Sequence, residues 1–67
     1  MFIVMVESKL ASGFNVELCR ELDTEPEHFE SHLKHPTGVV EVKSTYSNIV
    51  DALVGYSQLV EELLLCY

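Results

Sequence analysis

The sequence predicts an α+β fold of the order ββαβα: a three-stranded antiparallel sheet, a long C-terminal helix packed on one face, and a short surface helix. Strand-like alternation of apolar residues in the first two thirds and helical spacing in the last third predict this class. The 67 residues (1–67) make a single small domain. Because so short a chain buries only about 60% of its unfolded surface, we expect a partner chain to supplement its core.

The long helix is predicted over Ser44–Tyr67, where apolar side chains recur at alternating steps of four and three residues. Such steps place the side chains in one line along a helix. An oxygen from Ser44, Thr45 or Ser47 can cap the first turn. The line predicted to face the sheet consists of Ile49, Leu53, Tyr56, Val60, Leu63 and Tyr67.

Three segments predict strands. Met1–Ser8 is apolar on both faces, so we place it at the centre of the sheet. Phe14–Leu22 alternates and should pair with the first strand as an antiparallel hairpin, although Asn15 could instead cap a short helix. Val39–Lys43 is predicted as a half-buried third strand.

The short surface helix is predicted between the second and third strands. Thr24 can be its N-cap, Pro26 fits the first turn, and Glu27 completes a capping box. The helix should end before the second proline of the chain. Phe29 and Leu33, four residues apart, would anchor it.

Three histidines fall on this predicted helix with helical spacing. At positions i, i+4 and i+7, His28, His32 and His35 would share one face and could hold zinc. The usual metalloprotease motif has a glutamate directly after the first histidine, where this chain has Phe29. We therefore predict no metal and no other cofactor, and keep the three histidines as the candidate ligands and as a possible pH sensor.

The charge balance restricts the classes of partner that we expect this protein to bind. Eleven Asp and Glu against four Lys and Arg give a formal charge of −7, which disfavours direct binding to nucleic acid and to anionic membranes. The first six residues, MFIVMV, form an apolar run too short for a signal peptide or a membrane span. We therefore predict a cytoplasmic protein.

Acidic residues concentrate between Glu17 and Glu30. Such a cluster either keeps the protein soluble or docks on a basic partner. Chains of this size and charge resemble the inhibitors that bacteriophages encode. We predict an inhibitor or regulator that binds a basic protein surface, such as the phosphate site of a nucleic-acid-handling complex. Its predicted binding residues are Glu21, Asp23, Glu25, Glu27 and Glu30.

No pattern indicates catalysis, so we predict no catalytic residue and no enzyme. Cys19 lies among acidic residues and Cys66 lies near a helix C-terminus, and both settings disfavour a thiolate. We expect both thiols to be reduced, and a disulfide between Cys19 and Cys66 is the alternative. The chain also has no glycine-rich phosphate loop.

Several apolar side chains fall outside the line predicted to face the sheet. Exposed apolar side chains of this kind usually mark an interface, so we predict a homodimer. Gly55, on the polar arc of the helix, is either tolerated there or admits a partner's backbone. The alternative functions are a homo-oligomeric structural or accessory subunit and a histidine-centred metal-binding domain. The predicted interface residues are Val54, Leu64, Leu65 and Tyr67.

The predicted order of elements also resembles the antitoxin domains of the HicB family. The resemblance is one of topology and covers Val4 to Glu7, Gly13 to Leu18 and the final helix. The proline and glycine-cysteine positions typical of that family's next loop are missing here, so membership is not inferred.

Overall fold

The computed structural model describes residues 1–66, with side chains through Leu65, and has an α+β fold. A four-stranded antiparallel sheet of order β1-β2-β3-β4 is followed by one C-terminal helix. The fold class is confirmed, but the prediction of three strands and a second, short helix is wrong. The elements are β1 (Phe2–Lys9), β2 (Asn15–Glu21), β3 (Phe29–Lys34), β4 (Val40–Tyr46) and α1 (Ile49–Cys66).

The segment predicted as the short surface helix is the strand β3. Residues four apart share a face in a strand as well as in a helix, so Phe29 and Leu33 fit both structures. Ser31 lies between them and is fully buried. Its hydroxyl is 3.3 Å from the Tyr46 hydroxyl, so a hydrogen bond compensates for burying this polar group in the core.

The residues expected to begin that helix instead form the loop from β2 to β3. Asp23 has a φ of 66°, a left-handed conformation that aspartate tolerates better than most residues. The Glu25–Pro26 peptide bond is cis. The Thr24 hydroxyl donates backwards to the Glu21 carbonyl at 3.5 Å instead of capping a helix.

β1 lies at an edge of the sheet, and its predicted central position is wrong. The predicted hairpin is confirmed, since β1 pairs antiparallel with β2, with a bulge between Val4 and Val6. β2 is a strand and not the alternative helix, and its other side pairs with β3. β1 therefore has one free edge, and both of its apolar faces are exposed.

The helix begins later than predicted because β4 continues through Tyr46. Asn48 is the residue that caps it. The Asn48 side-chain oxygen accepts a hydrogen bond from the Asp51 backbone N–H at 2.8 Å, and its amide donates to the Asp51 carboxylate at 2.8 Å. The predicted caps Ser44 and Thr45 belong to β4, and Ser47 precedes the true cap.

The core lies between α1 and the face of the sheet formed mainly by β2 and β3. Of the side chains predicted to line the sheet-facing side of the helix, Tyr56 and Leu63 are buried, but Leu53 is exposed. Ala52 is the most buried of the described helix residues. Tyr67 lies outside the described residues. The buried apolar side chains of the core are Val16, Leu18, Phe29, Leu33, Ala52, Tyr56 and Leu63.

Tyr56 joins the helix to the first two strands. Its hydroxyl is 2.6 Å from the Ser8 hydroxyl and donates to the Val16 carbonyl at 3.5 Å. We expect Tyr56→Phe to lower the free energy of unfolding by about 1 kcal/mol, because a hydrogen bond is lost and no cavity forms. Urea denaturation measures this. A double-mutant cycle with Ser8→Ala should show coupling between the two residues, and fully additive effects would contradict the prediction.

Candidate functional site

The two faces of the sheet differ in chemistry because side chains alternate along each strand. Val16 and Leu18 of β2 point into the core under α1, so Glu17 and Cys19 point to the opposite face. The same alternation on β3 sends Glu30 and His32 there. We call this opposite, helix-free side the open face. It carries titratable groups at the centre of the sheet.

Four of these groups form a compact square on β2 and β3. The strand register places Glu17 opposite His32 and Cys19 opposite Glu30. Directly opposed residues on one face have Cβ atoms about 4.5–5.5 Å apart, so all four side chains are neighbours. Cys19 Sγ lies 3.6 Å from His32 Nδ1. We call Glu17, Cys19, Glu30 and His32 the open-face cluster.

Glu30 orients two histidines of the open face. Its carboxylate oxygens lie 2.8 Å from His28 Nε2 and 2.8 Å from His32 Nε2. The hydrogen bonds from His28 and His32 lower the pKa of Glu30 below its ordinary value, against a smaller opposing effect of burial. The Phe2 ring packs beside both imidazoles, with centroid distances of 6.2 and 5.7 Å. Both histidine rings are therefore fixed in direction.

The Cys19 thiol lies within this polar surrounding yet is only 3% exposed. Burial raises its pKa above the ordinary value, and the negative charges of Glu17 and Glu30 raise it further. The thiol is therefore neutral around pH 7 when no cation is near. It is a poor nucleophile in that state, since the thiolate is the reactive form.

Negative charge extends from the open-face cluster towards β1. Glu7 lies opposite Glu17 in the register, and directly opposed like charges are destabilising. The Asn15 amide nitrogen lies between them, 3.1 Å from one Glu7 oxygen and 3.3 Å from one Glu17 oxygen. A single neutral amide thus bridges two carboxylates, and the register places Lys9 and Lys34 on either side of that amide.

The three predicted histidine ligands do not lie together. His28 and His32 share Glu30, but His35 has its Nε2 3.3 Å from a Glu41 oxygen and its ring 5.0 Å from that of Phe14. Their predicted common face required a helix, which the described residues do not form there. Sequence reasoning also missed the pairing of His32 with Cys19, because strand register brings these distant residues together.

The five predicted partner-binding carboxylates occupy two places. Glu30 belongs to the open-face cluster, whereas the other four lie at the end of β2 and in the loop that follows it. Glu21 pairs with the N-terminal ammonium at 2.6 Å, and Glu27 lies 3.4 Å from the Arg20 guanidinium. Asp23 and Glu25 are exposed. The predicted residues are therefore divided between the sheet and the loop.

The predicted apolar interface residues lie on α1. Val54, Leu64 and Leu65 are exposed there, and Tyr67 lies outside the described residues. A longer apolar stretch, which the sequence placed at the sheet centre, is exposed on β1. All five residues from Phe2 to Val6 are large and apolar, and each is between 39% and 52% exposed.

Comparisons with known proteins give no family for this chain. No protein-family model matches the sequence, and no curated protein and no solved structure is significantly similar to it. Among residues 1–66, α1 is not apolar enough over its length to cross a membrane.

Glu30 should make stability depend on pH. Its pKa is lower in the folded protein than in the unfolded chain, so between these two values the unfolded chain binds more protons. The stabilisation is therefore complete above the ordinary glutamate pKa and is lost as the pH falls through the lowered value. At neutral pH we expect Glu30→Gln to cost about 1 kcal/mol in the free energy of unfolding.

Urea denaturation of the wild type and of Glu30→Gln, at a series of pH values from neutral to acid, checks this prediction. The difference between the two proteins should shrink as the pH falls. Glu61→Gln on the exposed side of α1 is the matched control for loss of one negative charge. A constant difference across the series would show that Glu30 does not act through its ionised form.

Proposed function

We propose that this chain is an acidic protein–protein interaction module that binds a basic protein through the free edge of β1. The observation that carries the proposal is the exposure of five consecutive large apolar residues, Phe2 to Val6, on an edge strand. An edge strand offers unpaired backbone groups to another chain, and such strands are a recurrent means of peptide and protein recognition. Apolar side chains on both faces add area that a partner can bury.

The charges around β1 favour a basic partner. The backbone N–H of Leu22 donates to the Met1 carbonyl at 2.8 Å, so the loop after β2 begins beside the start of β1. That loop carries the exposed Asp23 and Glu25. Glu7 lies towards the other end of β1. A strand added along β1 therefore meets Asp23 and Glu25 near one end and Glu7 beside Lys9 near the other, within a chain whose formal charge is −7.

Binding of this kind requires no catalytic group and fits an inhibitor or regulator. Covering a basic surface blocks whatever that surface otherwise binds, and a nucleic-acid-handling complex is one class of partner with such a surface. Opposite charges also accelerate association, and salt weakens this effect.

Site-specific photocrosslinking tests the proposal. A photoreactive phenylalanine analogue is placed at Met5 on β1 or, as the matched control, at Val54 on the exposed side of α1. Both proteins are irradiated in lysate of the source cells at low and at high salt. We expect a crosslinked basic protein from the Met5 position alone, in a yield that falls at high salt. Equal yields from both positions, or at both salt concentrations, would contradict the proposal.

A charge-reversal variant tests the acidic contribution. Asp23→Lys combined with Glu25→Lys changes two exposed loop residues. We expect the crosslink from Met5 to weaken while the circular dichroism spectrum is unchanged. Glu61→Lys combined with Glu62→Lys makes the same charge change on exposed positions of α1 and should leave the crosslink unaffected. Unfolding of the loop variant would instead assign these carboxylates a structural role.

A homo-oligomeric subunit is the second candidate, because Val54, Leu64 and Leu65 expose further apolar area on α1. Sedimentation at tens of micromolar separates the two functions, since a clean monomer removes this candidate. Added salt should change self-association and binding to a basic partner in opposite directions. Copies that each carry −7 repel one another, so salt should strengthen self-association and weaken binding to a basic partner.

A further inference from the structure

We propose that the open face binds a zinc ion through Glu17, Cys19 and His32. Their ligand atoms, one from each residue, all lie within 4.8 Å of one another. The proposal is independent of the protein-binding function and of the three-histidine site that the sequence suggested. It uses one of those histidines, together with two residues of the neighbouring strand.

The chemistry of the three donors favours a transition metal such as zinc over calcium or magnesium. A thiolate, an imidazole and a carboxylate are the donors that zinc takes in proteins, and calcium or magnesium would require oxygen ligands throughout. Three protein ligands leave the fourth tetrahedral position for water or for a donor from another molecule. The ion would replace the Cys19 thiol proton, which passes to solvent. The negative charges of the Cys19 thiolate and the Glu17 carboxylate would then balance the two positive charges of Zn²⁺.

The distances require only small movements. Zinc bonds of about 2.0–2.3 Å in a tetrahedron put neighbouring ligand atoms roughly 3.3–3.7 Å apart. The separation of Cys19 Sγ and His32 Nδ1, 3.6 Å, already falls in this range. The remaining separations are at most 4.8 Å, so rotation of the Glu17 side chain can close the site. One Glu17 oxygen accepts from Asn15, and the other can turn towards the ion.

Glu30 completes the arrangement expected of a metal-binding histidine. His32 Nε2 is 2.8 Å from a Glu30 oxygen, which can only accept, so in the neutral imidazole Nε2 carries the proton and the lone pair on Nδ1 faces Cys19. A carboxylate behind a histidine ligand fixes its tautomer and raises its basicity. The second Glu30 oxygen is itself held by His28 at 2.8 Å.

The proposed ligands are largely buried, and apolar residues flank them on the neighbouring strands. The His32 side chain is 14% exposed, and Cys19 is less exposed still. In the register Val4 lies opposite Cys19, and Val42 lies opposite His32. Two valines therefore flank the cluster along the sheet. An ion there would join β2 to β3 on the side that α1 does not cover, which would stabilise a domain with a small core.

Cobalt substitution tests the site directly. Co²⁺ is added to the reduced full-length protein, and the thiolate-to-cobalt charge-transfer band is recorded, followed by displacement with Zn²⁺. We expect a band from one thiolate, loss of that band when zinc is added, and a higher Tm in the zinc-loaded protein. Cys19→Ala should abolish the band. Glu30→Gln should weaken zinc binding by about 10- to 100-fold, as for other residues that orient a metal ligand.

Two control variants distinguish this site from other cysteines and histidines. Cys66→Ser removes the other thiol of the chain, and His35→Gln removes the histidine that lies beside Glu41. Both should keep the band and the zinc affinity. Because Cys19 is buried, Glu17→Gln serves as a second ligand variant that should stay folded while binding zinc more weakly. The proposal fails if the folded wild type gives no thiolate band, or if the band survives Cys19→Ala.

Discussion

Replacing Phe29 with alanine should cost about 3–5 kcal/mol in the free energy of unfolding, close to the entire stability of a domain this small. Phe29 is 1% exposed and is the largest fully buried side chain among the described residues. Its removal would leave a cavity between β3 and the helix, which the neighbouring residues can fill only in part. Circular dichroism and thermal denaturation should therefore show a largely unfolded protein at ambient temperature.

Phe2→Ala is the matched control for this substitution. Phe2 is lost from an exposed position on β1, so its replacement should lower the free energy of unfolding by about 1 kcal/mol and leave the protein folded. Phe29→Leu keeps most of the buried volume and should give an intermediate, measurable destabilisation. Equal effects of Phe29→Ala and Phe2→Ala would mean that β3 does not supply the core.

Replacing Gly55 with alanine should destabilise the protein by about 1–3 kcal/mol, although alanine is the better helix former by about 1 kcal/mol. A Cβ atom at Gly55 would lie 2.5 Å from Cε1 and 2.6 Å from Cζ of Tyr46. Turning the Tyr46 ring away would break the hydrogen bond between its hydroxyl and that of the buried Ser31, which are 3.3 Å apart. The glycine therefore admits a side chain of its own chain, which replaces both sequence-based interpretations of this residue.

Urea denaturation of Gly55→Ala measures this effect, and Ser57→Ala on the exposed side of α1 is the control for helix propensity. Ser57→Ala should be neutral or slightly stabilising. Combining Gly55→Ala with Tyr46→Val, which removes the ring, should restore part of the lost stability relative to Tyr46→Val alone. A stabilising effect of Gly55→Ala in the wild-type background would show that Tyr46 does not pack against the helix there.

The two proposals concern different parts of the sheet and can be tested separately. The free edge of β1 would bind a partner strand, whereas the zinc ligands belong to β2 and β3. The two proposed sites meet at Val4, which is exposed on β1 and lies opposite Cys19. A partner that covers β1 would therefore also shield one side of the open-face cluster.

The sequence alone determined the features that depend on local pattern. Helical spacing predicted α1, and alternation predicted the β1–β2 hairpin and the strand that became β4. The charge and the exposed carboxylates of the loop could also be identified, because charged side chains remain near solvent unless they are paired. The fold class followed from these elements.

The tertiary structure decided the identity of β3 and the place of β1. A spacing of four residues fits one face of a helix and one face of a strand, so Phe29 and Leu33 could not distinguish them. Only the pairing of Ser31 with Tyr46 shows how a polar residue fits the core between them. An apolar strand likewise fits the centre or the edge of a sheet, and the pairing of β3 with β2 places β1 at the edge.

The open-face cluster depended entirely on strand register. Cys19 and His32 are 13 residues apart in the chain, and nothing local relates them. Antiparallel pairing of β2 with β3 places one opposite Glu30 and the other opposite Glu17, and thereby sets the four side chains beside one another. A shift of one residue would send half of them into the core, because successive side chains in a strand point to opposite faces.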